Sequence, residues 1–164
     1  PEDGVVNDVF TIDFPQNITQ VHFIKLRLFD TKGKEVANTF YWRSNDKYEG
    51  RKSLTGPTSS GFEDLSKLKQ VQLKTRYKAY QEGDRHFIKA EIKNPSSTVA
   101  FFTQLQLLGQ DKKPVRPSFY TDNFFSLLPG ESKTVIIETA TDDMPSEPTF
   151  VVKGWNIQSS SFKL

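Results

Sequence analysis

The chain has 164 residues, of which 26% are charged and 35% hydrophobic, and its net charge is +2. That length allows one ordinary domain or two small ones, and without a Lys/Arg run to track phosphates the weak charge excludes a nucleic-acid binder. Cysteine is absent, which removes disulfides, thiolate nucleophiles and Cys-based zinc sites together, and no apolar run reaches the length of a membrane-spanning helix.

Aromatics are heavy at 13%, with fourteen Phe, and large rings fill a small core with few residues. The chain opens at Pro1 without a signal peptide, so it reads as a piece of a longer protein whose localisation is not legible here. Gly4 to Phe14 reads as a first extended segment ending at Pro15. Asn17-Ile18-Thr19 fits an N-glycosylation acceptor, with an ordinary turn as the plainer reading. From Val21 to Asp30, Ile24, Leu26 and Leu28 share one face and Lys25 and Arg27 the other, the period of two of a strand with one face buried. Asp30 to Gly33 is a hairpin-type turn, and Glu35 to Arg43 returns as its partner. Ser44 to Gly61 is a long polar loop. Phe62 to Leu68 is one short helical turn or an extended crossing.

A fresh set of strands begins at Val71. Val71, Leu73, Tyr77 and Ala79 alternate with Lys74, Arg76 and Lys78; after a turn at Gln81 to Asp84, Ile88, Ala90 and Ile92 alternate with Lys89, Glu91 and Lys93. Asn94 to Ser97 breaks that strand. Phe101, Leu105 and Leu107 alternate with Gln104 and Gln106, and Gly109 to Pro114 turns again. In Phe119 to Glu131 a polar break at Asp122-Asn123 and a Pro129-Gly130 turn separate short apolar runs, the pattern of a chain changing sheets at a sandwich corner. A strand around Val135, an acidic loop at Asp142-Asp143 and a last strand from Thr149 to Ile157 complete about seven strands, with turns at the spacing of an immunoglobulin-like sandwich.

The predicted fold is therefore all-β: a complete immunoglobulin-like β-sandwich over 68–164, preceded over 1–67 by the end strands of a second, truncated sandwich and a linker. Three strands cannot cover their own apolar face. The face of Ile24, Leu26 and Leu28 is expected to pack on the second domain or on another copy of the chain.

The stretch Tyr120-Thr121-Asp122-Asn123-Phe124-Phe125-Ser126-Leu127-Leu128-Pro129-Gly130-Glu131 resembles a signature of the last immunoglobulin-like domain of some family 2 glycoside hydrolases, the exo-β-glucosaminidase and β-mannosidase type. Val36 to Trp42, Phe62-Glu63-Asp64-Leu65 with Leu68, and Lys153-Gly154-Trp155-Asn156 are similar to the same region, in the same order along the chain. The resemblance implies tandem β-domains after a catalytic barrel, hence the catalytic domain of the same polypeptide as partner. It also implies a parent enzyme, periplasmic or secreted, that acts on β-linked glucosamine or mannose glycans.

Glycoside hydrolysis needs two carboxylates held across a sugar. Asp122, Glu131, Asp142, Asp143, Glu63 and Asp64 are the candidates, but the resemblance puts the acid and the nucleophile on the barrel, so no catalytic residue is assigned to this chain. Asp122 and Asn123 fit caps of a kink, and Glu131 fits a solvated strand start. His22 and His86 are too far apart in sequence and too few for a metal site, and Asp142-Asp143 fits a solvated pair better than a calcium site. No metal or other cofactor is expected. An oligosaccharide is the rival partner, with Tyr120, Asp122, Asn123 and Trp155 as candidate contacts, although Trp155 also fits a buried ring and Phe124-Phe125 fits core better than platform. A homo-oligomer and a protein-interaction or adhesion role stay open.

Overall fold

The computed structural model describes residues 10–45 and 61–164. The chain divides into two compact units, Pro1–Leu65 and Ser66–Leu164. In the first, strands β1 (Val21–Phe29) and β2 (Glu35–Ser44) form an antiparallel hairpin. Its turn is fastened by the Asp30 carboxylate, which accepts from the amides of Lys32 and Lys34 at 2.9 Å each, while Gly33 takes φ 77°. A left-handed backbone is nearly free of steric cost only for glycine. Residues 10–15 form no strand, so the described part of this unit has two strands rather than the three expected; Gly4 to Val9 lies outside the described residues. The chain turns after Pro15, with the Ile18 amide donating to the Pro15 carbonyl at 3.2 Å, so Asn17 sits in a turn.

The alternation in β1 is real, but it does not give one dry and one wet face. Ile24 and Leu26 are half-buried and Leu28 is 62% exposed. Register pairs Phe23 with Trp42 and Lys25 with Phe40, so the face of Lys25 and Arg27 also carries aromatics, and the Phe23 and Phe40 rings lie 5.6 Å apart. The segment after the loop is a 3-10 helix, Glu63–Lys67.

The second unit is a sandwich of two four-stranded sheets. One has the order β3 (Lys74–Glu82), β4 (Arg85–Lys93), β8 (Ser132–Ala140), β6 (Phe119–Tyr120). The other has the order β10 (Ile157–Lys163), β9 (Thr149–Gly154), β5 (Ala100–Leu108), β7 (Phe125–Leu127). Between them Ile88, Ala90, Ile92, Val135 and Ile137 of the first sheet meet Leu105, Leu107, Leu127, Phe150 and Val152 of the second, all buried. Each such aliphatic or aromatic side chain contributes about 1.5–3 kcal/mol relative to exposure. This is the period-two pattern of the sequence realised on both inner faces.

Two boundaries differ from expectation. The stretch Thr149 to Ile157 is not one strand: the chain reverses at Trp155-Asn156, and β10 adds an eighth strand. Val71 does not open β3 but bridges Ile157 of the opposite sheet, its N–H donating to the Asn156 carbonyl at 2.8 Å and its carbonyl accepting from Gln158 at 2.9 Å. Alternation in Val71–Ala79 hides this switch, because both halves of the segment point the same parity inward. Beyond Thr75 the inner face thins out, leaving Tyr77 and Ala79 exposed.

Candidate functional site

The corner between sheets is built from side chains that imitate backbone. β6 belongs to one sheet and β7 to the other, so the chain crosses at Thr121–Phe124. Strand β7 pairs with β5 only as far as Thr103, which leaves the edge of β5 open beyond it. Asn123 closes that edge: its Oδ1 accepts from the Leu105 N–H at 2.8 Å and its Nδ2 donates to the Leu105 carbonyl at 3.0 Å. One residue pair further along, the Leu107 N–H donates to the Tyr120 hydroxyl oxygen at 3.0 Å. Burial of that phenol raises its pKa above the usual tyrosine value, against the Leu107 and Ser118 hydrogen bonds, which act to lower it. Asp122 accepts from the Asn123 N–H at 2.7 Å and forms an ion pair with Lys133.

The turn that follows is equally tied. Gly130 takes φ 80°, the Glu131 N–H donates to the Leu128 carbonyl at 3.1 Å, and the Glu131 carboxylate accepts from the Leu128 N–H at 2.8 Å. Glu131 is therefore a capping group and not the solvated strand start expected of it. Its backbone pairs with buried Asn94, the Asn94 N–H donating to the Glu131 carbonyl and the Gly130 N–H to the Asn94 carbonyl, both at 2.9 Å.

Beside the corner lies a shallow cleft of about 190 Å³, bordered by Gln104, Gln106, Arg116, Ser118, Tyr120 and Asn123. Two of the four candidate sugar contacts, Tyr120 and Asn123, thus share a cleft, with polar atoms already engaged by β5. Asp122 is held by Lys133. Trp155 stands elsewhere, at the β9–β10 reversal, and is 57% exposed rather than buried. The buried residue of that turn is its neighbour Asn156, 1% exposed, which accepts from the Phe101 N–H at 2.8 Å and donates to the carbonyls of Val99 and Lys69 at 2.8 and 2.9 Å. The long polar loop expected over Ser44 to Gly61 falls, over 46–60, outside the described residues.

Sequence reasoning missed Phe102. A bulge in β5 between Ala100 and Thr103 places Phe102 at φ 58°, and Phe124 takes φ 57° just before β7. Their rings lie 5.4 Å apart at the surface, 39% and 49% exposed. Phe125 is the core residue expected, whereas Phe124 is turned outward. No period-two pattern announces a bulge.

A larger hollow of about 410 Å³ lies at the far end of β5, lined by Lys112, Glu147, Ser161 and Lys163 among others. Among the described residues no group of three or more His, Asp or Glu could hold a metal ion, and no helix is long and apolar enough to cross a membrane. Glu138 is bound to Arg85 at 2.7 Å. The carboxylates of Asp122, Glu131 and Glu138 are thus engaged in structural bonds.

Residues 54–157 match the model of the exo-β-D-glucosaminidase Ig-fold domain. The chain is 30% identical to an exo-β-D-glucosaminidase of Streptomyces avermitilis over 149 residues, covering 85% of this chain and 16% of that enzyme. It is 29% identical to the enzyme of the same name from Amycolatopsis orientalis, covering 93% of this chain and again 16% of the relative. The crystal structure of the Amycolatopsis orientalis exo-chitosanase CsxA superposes with a TM-score of 0.81 at 23% identity, over 94% of this chain and 19% of that one, and this likeness shows the fold. The chain spans less than a fifth of the length of these relatives. With the sandwich, its corner and the family match in agreement, the chain belongs to the immunoglobulin-fold domain family of exo-β-D-glucosaminidases.

Proposed function

We propose that this chain is a non-catalytic accessory β-sandwich region of a family 2 glycoside hydrolase, whose parent acts on β-linked glucosamine glycans through a barrel in the same polypeptide. The observation that carries this reading is the match of residues 54–157 to the Ig-fold domain of exo-β-D-glucosaminidases, in a chain equivalent to 16% of those enzymes. A β-mannosidase-type parent is the neighbouring alternative. The role is mechanical: the module supports the barrel or the assembly of subunits. Engagement of Asp122, Glu131 and Glu138 in structural bonds supports it, because a glycosidase acid and nucleophile must face a sugar. The hairpin of β1 and β2 supports the domain division in the same way. A two-stranded ribbon is marginal alone, and it fits the end of a preceding sandwich.

The test uses the 164-residue chain and its parent side by side on glucosamine oligomers. The parent is expected to release glucosamine and the chain to release none. Release by the chain alone, abolished by Asp122→Asn without loss of fold, would overturn the reading.

A further inference from the structure

The outer face of the β3-β4-β8-β6 sheet gathers charge that the linear sequence disperses. Residues of β3 and β4 that alternate with the inward-facing ones meet in register on this face: Lys74 opposite Lys93, Arg76 opposite Glu91, and Lys78 opposite Lys89. All six are exposed. Five cations against one carboxylate give this strip a charge of +4, where the whole chain carries +2. Paired strands lie about 4.8 Å apart, and residues of one face recur about every 6.6 Å along a strand, so the strip is one strand pair wide and about 13 Å long.

The arrangement works against the stability of the sheet. Like charges directly opposite each other destabilise an antiparallel pair, and two of the three rows set lysine against lysine. Among the described residues no carboxylate lies within ion-pairing distance of any of the five cations, and this includes Glu91, although register sets it against Arg76. Beyond the strip the groups of the same face are already partnered: the Tyr80 and Phe87 rings stack on each other at 5.3 Å and 18°, and Arg85 is bound by Glu138. On the β8 side, the exposed Thr134 and Ser132 stand opposite Glu91 and Lys93. The strip thus offers unneutralised cations flanked by hydroxyls.

These features select the ligand. Interfaces between folded proteins are rich in aromatics and poor in lysine and glutamate at their cores, the reverse of this strip. Single-stranded nucleic acid is held by rings that stack its bases, and the two rings nearby are stacked on each other. Four of the five cations are lysines, which are point charges without the planar fork that matches phosphate. A bilayer surface calls for apolar side chains to insert, and none of the six residues is apolar. A linear polymer with a carboxylate on each unit and hydroxyls between them has a partner for every group here. We infer that the strip of Lys74, Arg76, Lys78, Lys89 and Lys93 is a binding surface for an acidic polysaccharide, a chain of uronate sugars. The cations take its carboxylates, and Ser132, Thr134 and Glu91 take its hydroxyls. The surface is separate from the accessory role, because a module supports a barrel whether or not its outer face holds a glycan.

The 164-residue chain is titrated calorimetrically at low ionic strength with the β-linked mannuronate hexamer, with cellohexaose and with hexathymidylate. Saturable binding of the mannuronate hexamer is expected, with weaker binding of hexathymidylate and none of cellohexaose. The affinity should fall severalfold at physiological salt, where the screening length is about 8 Å. Lys78→Gln with Lys89→Gln should weaken binding about tenfold or more, equivalent to ~1.4 kcal/mol, while the melting temperature stays level or rises, because a like-charge pair is gone. Lys74→Gln with Lys93→Gln, at the other end of the strip, should act alike. Lys112→Gln with Lys153→Gln removes the same charge from the opposite sheet and the turn after β5, and should leave binding within about twofold of the original. No saturable binding of the mannuronate hexamer overturns the proposal, as does equal or tighter binding of hexathymidylate or of cellohexaose. Strip variants that bind like the original overturn it too. Equal losses in the strip variants and in the Lys112 and Lys153 variant would reduce the effect to net charge, and the proposal fails.

Discussion

Asn156 and Asn123 do at single positions what a strand partner does along a whole edge. Each turns a side-chain amide toward the backbone of β5 or its approach, and each would leave stranded N–H or carbonyl groups if removed. An unmet buried polar group costs about 1–3 kcal/mol. Asn156→Ala is therefore expected to lower unfolding free energy by about 2–4 kcal/mol, read from urea denaturation of the chain; a loss below ~1 kcal/mol would show that water replaces the amide. Tyr120 adds a pH signature. Its folded pKa is raised by burial, so the stability it confers is whole below about pH 10, the ordinary tyrosine value, and is lost as pH rises through the higher folded value. Tyr120→Phe should be less stable than the original by about 1–2 kcal/mol at neutral pH, from the orphaned Leu107 N–H. The gap should close above pH ~10, because only the original protein carries the ionising phenol. A gap that stays constant to higher pH would contradict the assignment.

At the scale of elements, the strands with clean alternation were legible and the joints were not. Ile88, Ala90 and Ile92 announce β4 because burial on one face leaves a period of two, and the Asp122-Asn123 break announces a corner because short polar side chains bond backbone. The β9–β10 reversal was hidden for a physical reason: its anchor is the buried amide of Asn156, while its large ring, Trp155, faces outward. Aromatic weight in a sequence suggests core, whereas Phe102 and Phe124 stand at the surface with their rings 5.4 Å apart. Gly154 is the enabling residue at this joint. A methyl there would lie 2.4 Å from the Ile157 side chain and 2.9 Å from the Phe102 carbonyl oxygen. The side chain can swing aside but the carbonyl is backbone of a bulge, so Gly154→Ala should cost about 1–3 kcal/mol, the range for overpacking. Thermal melting checks this, and an unchanged midpoint would mean that β9 shifts freely against β5.

For the whole molecule, the division into Pro1–Leu65 and Ser66–Leu164 separates a hairpin from a sandwich with a continuous core. Residues 66–164 alone should then unfold cooperatively, as an eight-stranded sandwich does without help from β1 and β2. Loss of the cooperative transition on removing 1–65 would mean that the sandwich core is not self-sufficient. The family assignment extends the same logic to the parent enzyme. The measurement that bears most directly on the accessory reading compares the parent with a version lacking Ser66–Leu164, following glucosamine release and thermal denaturation in both. The truncated enzyme is expected to keep its turnover per folded molecule while melting several degrees lower, about what a loss of 1–2 kcal/mol produces in a large domain. Complete loss of turnover in a folded truncated enzyme would contradict the account, since residues of the sandwich would then take part in catalysis.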